Sequence, residues 1–154
     1  MALYLIQHGK NLSKEIDPEQ SLSEEGRKDV EKIAETAAGY KVLVGRIRHS
    51  GKKRAAQTAE IFAEKLDAKD IKEAEGLKAL DDPAEFAKNI IPGENLMLVG
   101  HLPFMERMTS FLTTGSTDYT VFKFQNGGIV CLDKLADSQY WSVIWALMPN
   151  IGRI

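Results

Sequence analysis

Three histidines are the side chains in this chain best suited to nucleophilic chemistry near neutral pH: His8, His49 and His101. Two of them share a context. His8 follows the apolar run Ala2 to Ile6 and precedes Gly9; His101 follows Leu96 to Val99, between Gly100 and a loop closed by Pro103. An isolated histidine at a strand end is ordinarily a hydrogen-bonded polar residue, so it is the repeated placement that matters. Ligands of open α/β sheets bind outside the carboxyl ends of the strands. Two such ends on neighbouring strands would put two imidazoles in one crevice, and Gly9 would let backbone approach a ligand. A third element, Arg46 to Glu60, runs through Ser50-Gly51 into a basic helix start with Arg48, Lys52, Lys53 and Arg54. A helix N-terminus suits an anion, and basic side chains there oppose the dipole unless an anion lies between them. Lys52 and Lys53 fit a solvated surface. Arg54, next to Ala55-Ala56, can reach inward and fork onto phosphate oxygens. The chemistry implied is phosphoryl transfer: an imidazole protonated on one nitrogen attacks phosphorus with the other, while a second imidazole and an arginine hold the remaining oxygens.

The elements that must position these groups alternate as in a sheet covered on both faces. The sequence predicts a central strand over residues 2–6, then a polar loop over 11–21. A helix capped by Ser23 follows, with the apolar stripe Val30, Ile33, Ala34 and Ala37, ending at Gly39. A short strand lies within 40–48. A helix over 52–66 carries Ala55, Ala59, Phe62, Ala63 and Leu66 on one face. A weak strand at 71–74, a short helix from Pro83, a buried strand over 96–99 and a helix from Pro103 come next. Residues 120–124 and 129–133 read as a hairpin around Asn126-Gly127-Gly128, and 140–147 as a last strand. There Trp141 and Trp145, four apart, are expected on one face. His49 is expected to point away from Ser50 by the same alternation.

The 154 residues suffice for one domain with a real core, expected to span 1–154. A net charge of −2 gives no global field for nucleic acid. Cys131 is the single cysteine, so neither an intrachain disulfide nor a cysteine-built zinc site is possible. No His-Glu-x-x-His and no dense carboxylate cluster suggests a metal, and no cofactor is expected. No apolar segment approaches the ~20 residues that span a bilayer. With no signal-like start, a cytoplasmic location and no membrane partner are expected.

The chain resembles the histidine phosphatase superfamily, the phosphoglycerate mutase-like fold, and within it the short SixA-type phosphohistidine phosphatases. The family's Arg-His-Gly is matched by Gln7-His8-Gly9, followed by Lys10. Its Leu-Ser/Thr-x-x-Gly is matched by Leu22-Ser23-Glu24-Glu25-Gly26. Ser-Pro-x-x-Arg-Ala-x-Gln-Thr-Ala is matched by Ser50 to Ala59, and Val-Gly-His-Asn-Pro by Val99-Gly100-His101-Leu102-Pro103. These segments fall in family order. The resemblance implies a three-layer α/β/α sandwich with a mixed, mainly parallel sheet. It implies that His8 is the nucleophile and that Arg54 and His101 bind the phosphoryl group, with a backbone N–H near Leu102 and with Ser50 lining the pocket. The substrate would be phosphohistidine in a protein, hydrolysed without metal; the alternatives are a small phosphomonoester, or a relative that binds phosphate with weak chemistry.

The departures are specific. Gln7 stands where the family has a phosphate-binding arginine. Loss of one charge-assisted hydrogen bond costs on the order of 1.5–3 kcal/mol, roughly 10- to 150-fold in rate if it falls wholly on the transition state. Gln7 can donate an amide hydrogen bond without charge, and Lys10, Arg48 and Lys52 are candidate substitute cations. Gly51 replaces the usual proline, and Leu102 an asparagine. Asp81 and Asp82 are candidate general acids, with a turn and a helix cap before Pro83 as the competing reading.

Overall fold

The computed structural model describes residues 2–152. Its sheet has six strands, β1 (Leu3–Gln7), β2 (Arg46–His49), β3 (Ile71–Glu73), β4 (Leu96–Gly100), β5 (Ile129–Asp133) and β6 (Ser142–Leu147), in the order β3-β2-β4-β1-β5-β6. The β1/β4, β2/β4 and β2/β3 pairs are parallel; β1/β5 and β5/β6 are antiparallel. The four helices are α1 (Glu24–Gly39), α2 (Lys53–Leu66), α3 (Pro83–Ala87) and α4 (Phe104–Thr114).

Strand alternation sorts β1 between two cores. Tyr4 and Ile6 join Val30, Ile33 and Ala34 of α1 and Ala55, Ala59 and Phe62 of α2. Leu3 and Leu5 join Phe104, Met105, Met108 and Leu112 of α4 on the other face. Both faces of β1 and β4 are therefore covered, which is why these strands read as unbroken apolar runs. The result is the three-layer α/β/α arrangement with a mixed, mainly parallel sheet.

The same topology makes the crevice. The chain leaves β1 toward α1 on one face and leaves β4 toward α4 on the other, although the two strands are neighbours. Connections that part in this way open a cleft at the carboxyl edge. Gln7 lies opposite Gly100 and His49 opposite Val99, so the next residues of three strands (His8, His101 and Ser50) meet there.

Two expectations are corrected. Residues 120–124 are irregular rather than a strand. β5 is already paired on one side with β1 and on the other with β6, which leaves no free edge for a hairpin partner. Trp141 and Trp145 lie on opposite faces: Trp145 stacks near Tyr4, with ring centroids 6.0 Å apart, whereas Trp141 packs in the α4 core. The cause is a register shift in the β5/β6 ladder at Cys131/Leu132, where Trp145 pairs with Cys131 but Val143 with Leu132. The extra residue, Ile144, inverts the alternation.

Candidate active site

The His8 backbone is held at successive peptide groups. Its N–H donates to the Gly100 carbonyl at 2.9 Å, and its carbonyl accepts from Asn126 Nδ2 at 3.0 Å and from the Gly127 N–H at 3.2 Å. The next N–H, of Gly9, donates to Thr58 Oγ1 at 3.0 Å. Thr58 is fully buried on α2 and donates in turn to the Arg54 carbonyl at 2.8 Å, coupling the two reactive segments. Behind them the chain closes tightly onto α1. A Cβ on Gly9 would approach Val30 Cγ2 to 2.7 Å, and one on Gly26 would overlap the Lys10 carbonyl oxygen. Glycine at 9 thus serves helix packing, and its N–H is committed to Thr58.

The His8 ring has a defined tautomer. Its Nδ1 lies 2.8 Å from the Gly9 carbonyl oxygen. A carbonyl only accepts, so Nδ1 carries the proton and Nε2 keeps its lone pair. Burial, offset in part by that hydrogen bond, lowers the His8 pKa to about 4, with the Arg54 charge acting in the same direction. His101 lies beside it, ring centroids 4.9 Å apart and planes at 55°. Burial pulls its pKa down to about 3, and repulsion from a protonated His8 and the charges of Arg54 and Lys52 add to the effect. Both rings are neutral at pH 7.

Ser50 Oγ lies 2.7 Å from His101 Nε2 and makes a long 3.4 Å contact with the Lys52 N–H, from which it accepts. With Ser50 O–H donating to Nε2, His101 carries its proton on Nδ1, where no partner is present among the described residues. The reverse would leave the serine proton without an acceptor. His101 then offers Nδ1–H as a donor to an anion. Arg54 is half-buried, and burial lowers its pKa from the ordinary value.

The motif segments that form this cluster belong to a known family. Residues 3–81 match the model of the histidine phosphatase superfamily, branch 1. This chain is a member of the histidine phosphatase superfamily. Among solved structures it is similar to the protein histidine phosphatase SixA complexed with tungstate, with a TM-score of 0.77, 21% identity and 97% of each chain covered. It is similar also to a provisionally assigned phosphohistidine phosphatase SixA from Agrobacterium tumefaciens, at a TM-score of 0.77 and 25% identity, covering 96% of this chain and 97% of the other. A glucosyl-3-phosphoglycerate phosphatase of mycobacterial origin superposes at a TM-score of 0.69 and 15% identity, covering 94% of this chain and 98% of that one. No curated protein sequence matches the chain. Membership in the superfamily makes the protein a hydrolase acting on phosphate-bearing substrates.

Other histidine phosphatase motif positions fall as follows. Gln7 adjoins His8, and its Oε1 is buried without a hydrogen-bond partner among the described residues. Leu102 packs part-buried against the α4 core. Asp82 caps α3, accepting from the Ala84 N–H at 3.0 Å, and Asp81 Oδ2 accepts from the Lys78 N–H at 2.8 Å, so both serve the turn and the cap. Arg48 forks onto Asp70 at 2.9 and 3.2 Å and is committed to the β2–β3 side of the sheet. Lys10 pairs with Glu25 at 2.8 Å, and Lys53 with Glu19 at 2.8 Å. His49 Nδ1 accepts from the Gly51 N–H, and burial lowers the pKa of its ring, with Glu73 and Glu60 acting in the opposite direction. Gly51 sits at φ +90°, where a proline cannot go, so this turn differs in kind from the family's Ser-Pro.

Sequence reasoning gives no role to Thr58 or to Asn126-Gly127. Thr58 lies within the matched Arg-Ala-x-Gln-Thr run, one helical turn after Arg54, which is the signal that could have found it. The residues of the Asn126 turn suit a hairpin, which is why the sequence predicts one there. The turn is instead a brace on the His8 carbonyl. Among the described residues no group of three or more His, Cys, Asp or Glu could hold a metal, and no helix is long and apolar enough to cross a membrane.

Proposed function

We propose that this protein is a metal-independent phosphohistidine phosphatase of SixA type, a single cytoplasmic domain acting on phosphohistidine carried by another protein. The observation that carries the reading is the His8 ring: its proton is held on Nδ1 by Gly9, and its Nε2 lone pair lies beside a second neutral imidazole. In the first step Nε2 attacks phosphorus and the bond from phosphorus to the substrate imidazole breaks. That imidazole leaves neutral when its other nitrogen is already protonated. In the second step water attacks phospho-His8, the new P–N bond breaks, His8 leaves as the neutral Nδ1-protonated imidazole, and inorganic phosphate departs with the oxygen and both protons of the water. Arg54 and the Nδ1–H of His101 meet the phosphoryl oxygens, and the α2 N-terminus adds its positive end.

The leaving group supports this substrate class over an ester. Asp81 and Asp82 are occupied with N–H groups of their own segment. An imidazole leaving group needs no such carboxylic acid, whereas an alkoxide does. The overlap with the two SixA structures supports it as well. The test is hydrolysis of a phosphohistidine-bearing protein in chelator-treated buffer, against sugar phosphates and nucleotides. Turnover of the phosphoprotein alone is expected. Preference for a small phosphomonoester, with loss of rate in Asp81→Asn or Asp82→Asn, would replace the reading by its small-molecule alternative.

A further inference from the structure

Gln7 leaves the phosphoryl cradle one cation short. Three side chains could restore it, and two are engaged elsewhere: Arg48 is forked onto Asp70, and Lys10 is paired with Glu25. Lys52 differs. It is the N-cap residue of α2, where its side chain makes no capping hydrogen bond. It has no ion-pair or hydrogen-bond partner for its ammonium among the described residues. Glu73, Glu75 and Lys78 line a cavity of about 170 Å³ with Ser50 and Lys52, yet neither carboxylate pairs with it.

Its backbone fixes where the side chain starts. The Lys52 N–H contacts Ser50 Oγ, the atom that holds His101. Gly51, at φ +90°, sets the turn that delivers Lys52 there. The ammonium is near enough that its charge bears on the His101 ring. A lysine at a helix N-cap sits on the unfavourable side of the dipole, and a bound anion reverses that sign. No acidic residue occupies the first turn of α2 to do so instead.

We infer that Lys52 is a catalytic residue of this protein, its ammonium contacting the phosphoryl oxygens and supplying the charge that the arginine at position 7 supplies in relatives. The inference rests on the phosphatase reading above. A point charge on a flexible stem replaces a rigid fork, so the replacement is partial.

The test is a double-mutant cycle between positions 52 and 7, read by tungstate affinity and by kcat/KM on the phosphohistidine protein. Lys52→Met in the natural background is expected to weaken tungstate binding and to lower kcat/KM about tenfold. In the Gln7→Arg background the same change is expected to cost less than twofold. Lys52→Arg should retain tungstate affinity, and Lys53→Met, which removes a neighbouring charge tied to Glu19, should leave it within twofold. An equal loss from Lys52→Met in both backgrounds, or no loss in the natural one, overturns the inference. Tungstate binding without any turnover would overturn the phosphatase reading, while the cycle of affinities would still decide Lys52. No tungstate binding by the unaltered protein would overturn both.

Discussion

Replacing Ser50 by alanine removes the group that sets the tautomer of His101. Ser50 and His101 are both buried, and their contact is 2.7 Å. A neutral intramolecular hydrogen bond contributes about 1 kcal/mol. Without it the His101 proton is free to sit on either nitrogen, and the ring with a bare Nδ1 repels a phosphoryl oxygen instead of donating to it. About 1 kcal/mol of lost bias corresponds to a roughly fivefold change in the tautomer ratio, and so to a fall of up to about fivefold in kcat/KM. The loss should appear in both kcat and kcat/KM, because the donor matters most as charge develops. Ser50→Thr keeps a hydroxyl and should recover most of the rate. Two assays together check this: steady-state kinetics on the phosphohistidine protein, and nitrogen-15 NMR of the His101 ring, which reports its tautomer directly. A Ser50→Ala protein with unchanged rate and a His101 ring still protonated on Nδ1 would refute the reasoning.

Three further outcomes follow from the packing and the titrations. Gly26→Ala places a methyl group on the Lys10 carbonyl oxygen; it should destabilise the fold by about 3 kcal/mol in urea titration and lower activity by moving the His8 loop. Gly51→Pro, which restores the family's usual residue, should destabilise by more than ~2 kcal/mol because proline cannot take φ +90° and Glu73 occupies the space. Both site histidines titrate below their ordinary value of 6.5 when folded, at about 4 for His8 and about 3 for His101. Between pH 6.5 and 4 the unfolded chain therefore binds protons that the native state does not, and stability falls as pH falls through that window. A tenfold difference in proton affinity between the two states corresponds to about 1.4 kcal/mol; discounted for solvent screening, a contribution of ~2 kcal/mol per ring is expected. A His8→Asn/His101→Asn double variant should show a shallower fall of stability over that range in denaturant titrations at successive pH values.

The elements that hold the site were legible because their signals are local. The apolar run before His8 could only be a covered strand, and Ser23 does cap α1, accepting from the Gly26 N–H. The matched placement of His8 and His101 became a contact because β1 and β4 are neighbours in parallel register. What escaped the sequence was non-local. Whether 120–124 becomes a strand depends on a free sheet edge, and β1 and β6 had taken both edges of β5. The facing of Trp141 and Trp145 depends on one bulge, which no alternation pattern announces. The reason for Gly9 lay in residues distant along the chain, Leu22 and Val30. Arg48 looked like a phosphate ligand by composition; Asp70, beyond the whole of α2, claims it.

The proposed phosphatase mechanism turns on His8 Nε2 as the atom that takes the phosphoryl group. The most direct measurement is rapid-quench labelling: the protein is mixed with a radiolabelled phosphohistidine protein, quenched in alkali, and mapped by mass spectrometry. An acid-labile, alkali-stable phosphoryl group on His8 is expected to form and decay within a turnover, and to be lost together with turnover in His8→Ala. Full phosphatase activity in His8→Ala, or label on another residue with His8 unmodified, would contradict the mechanism.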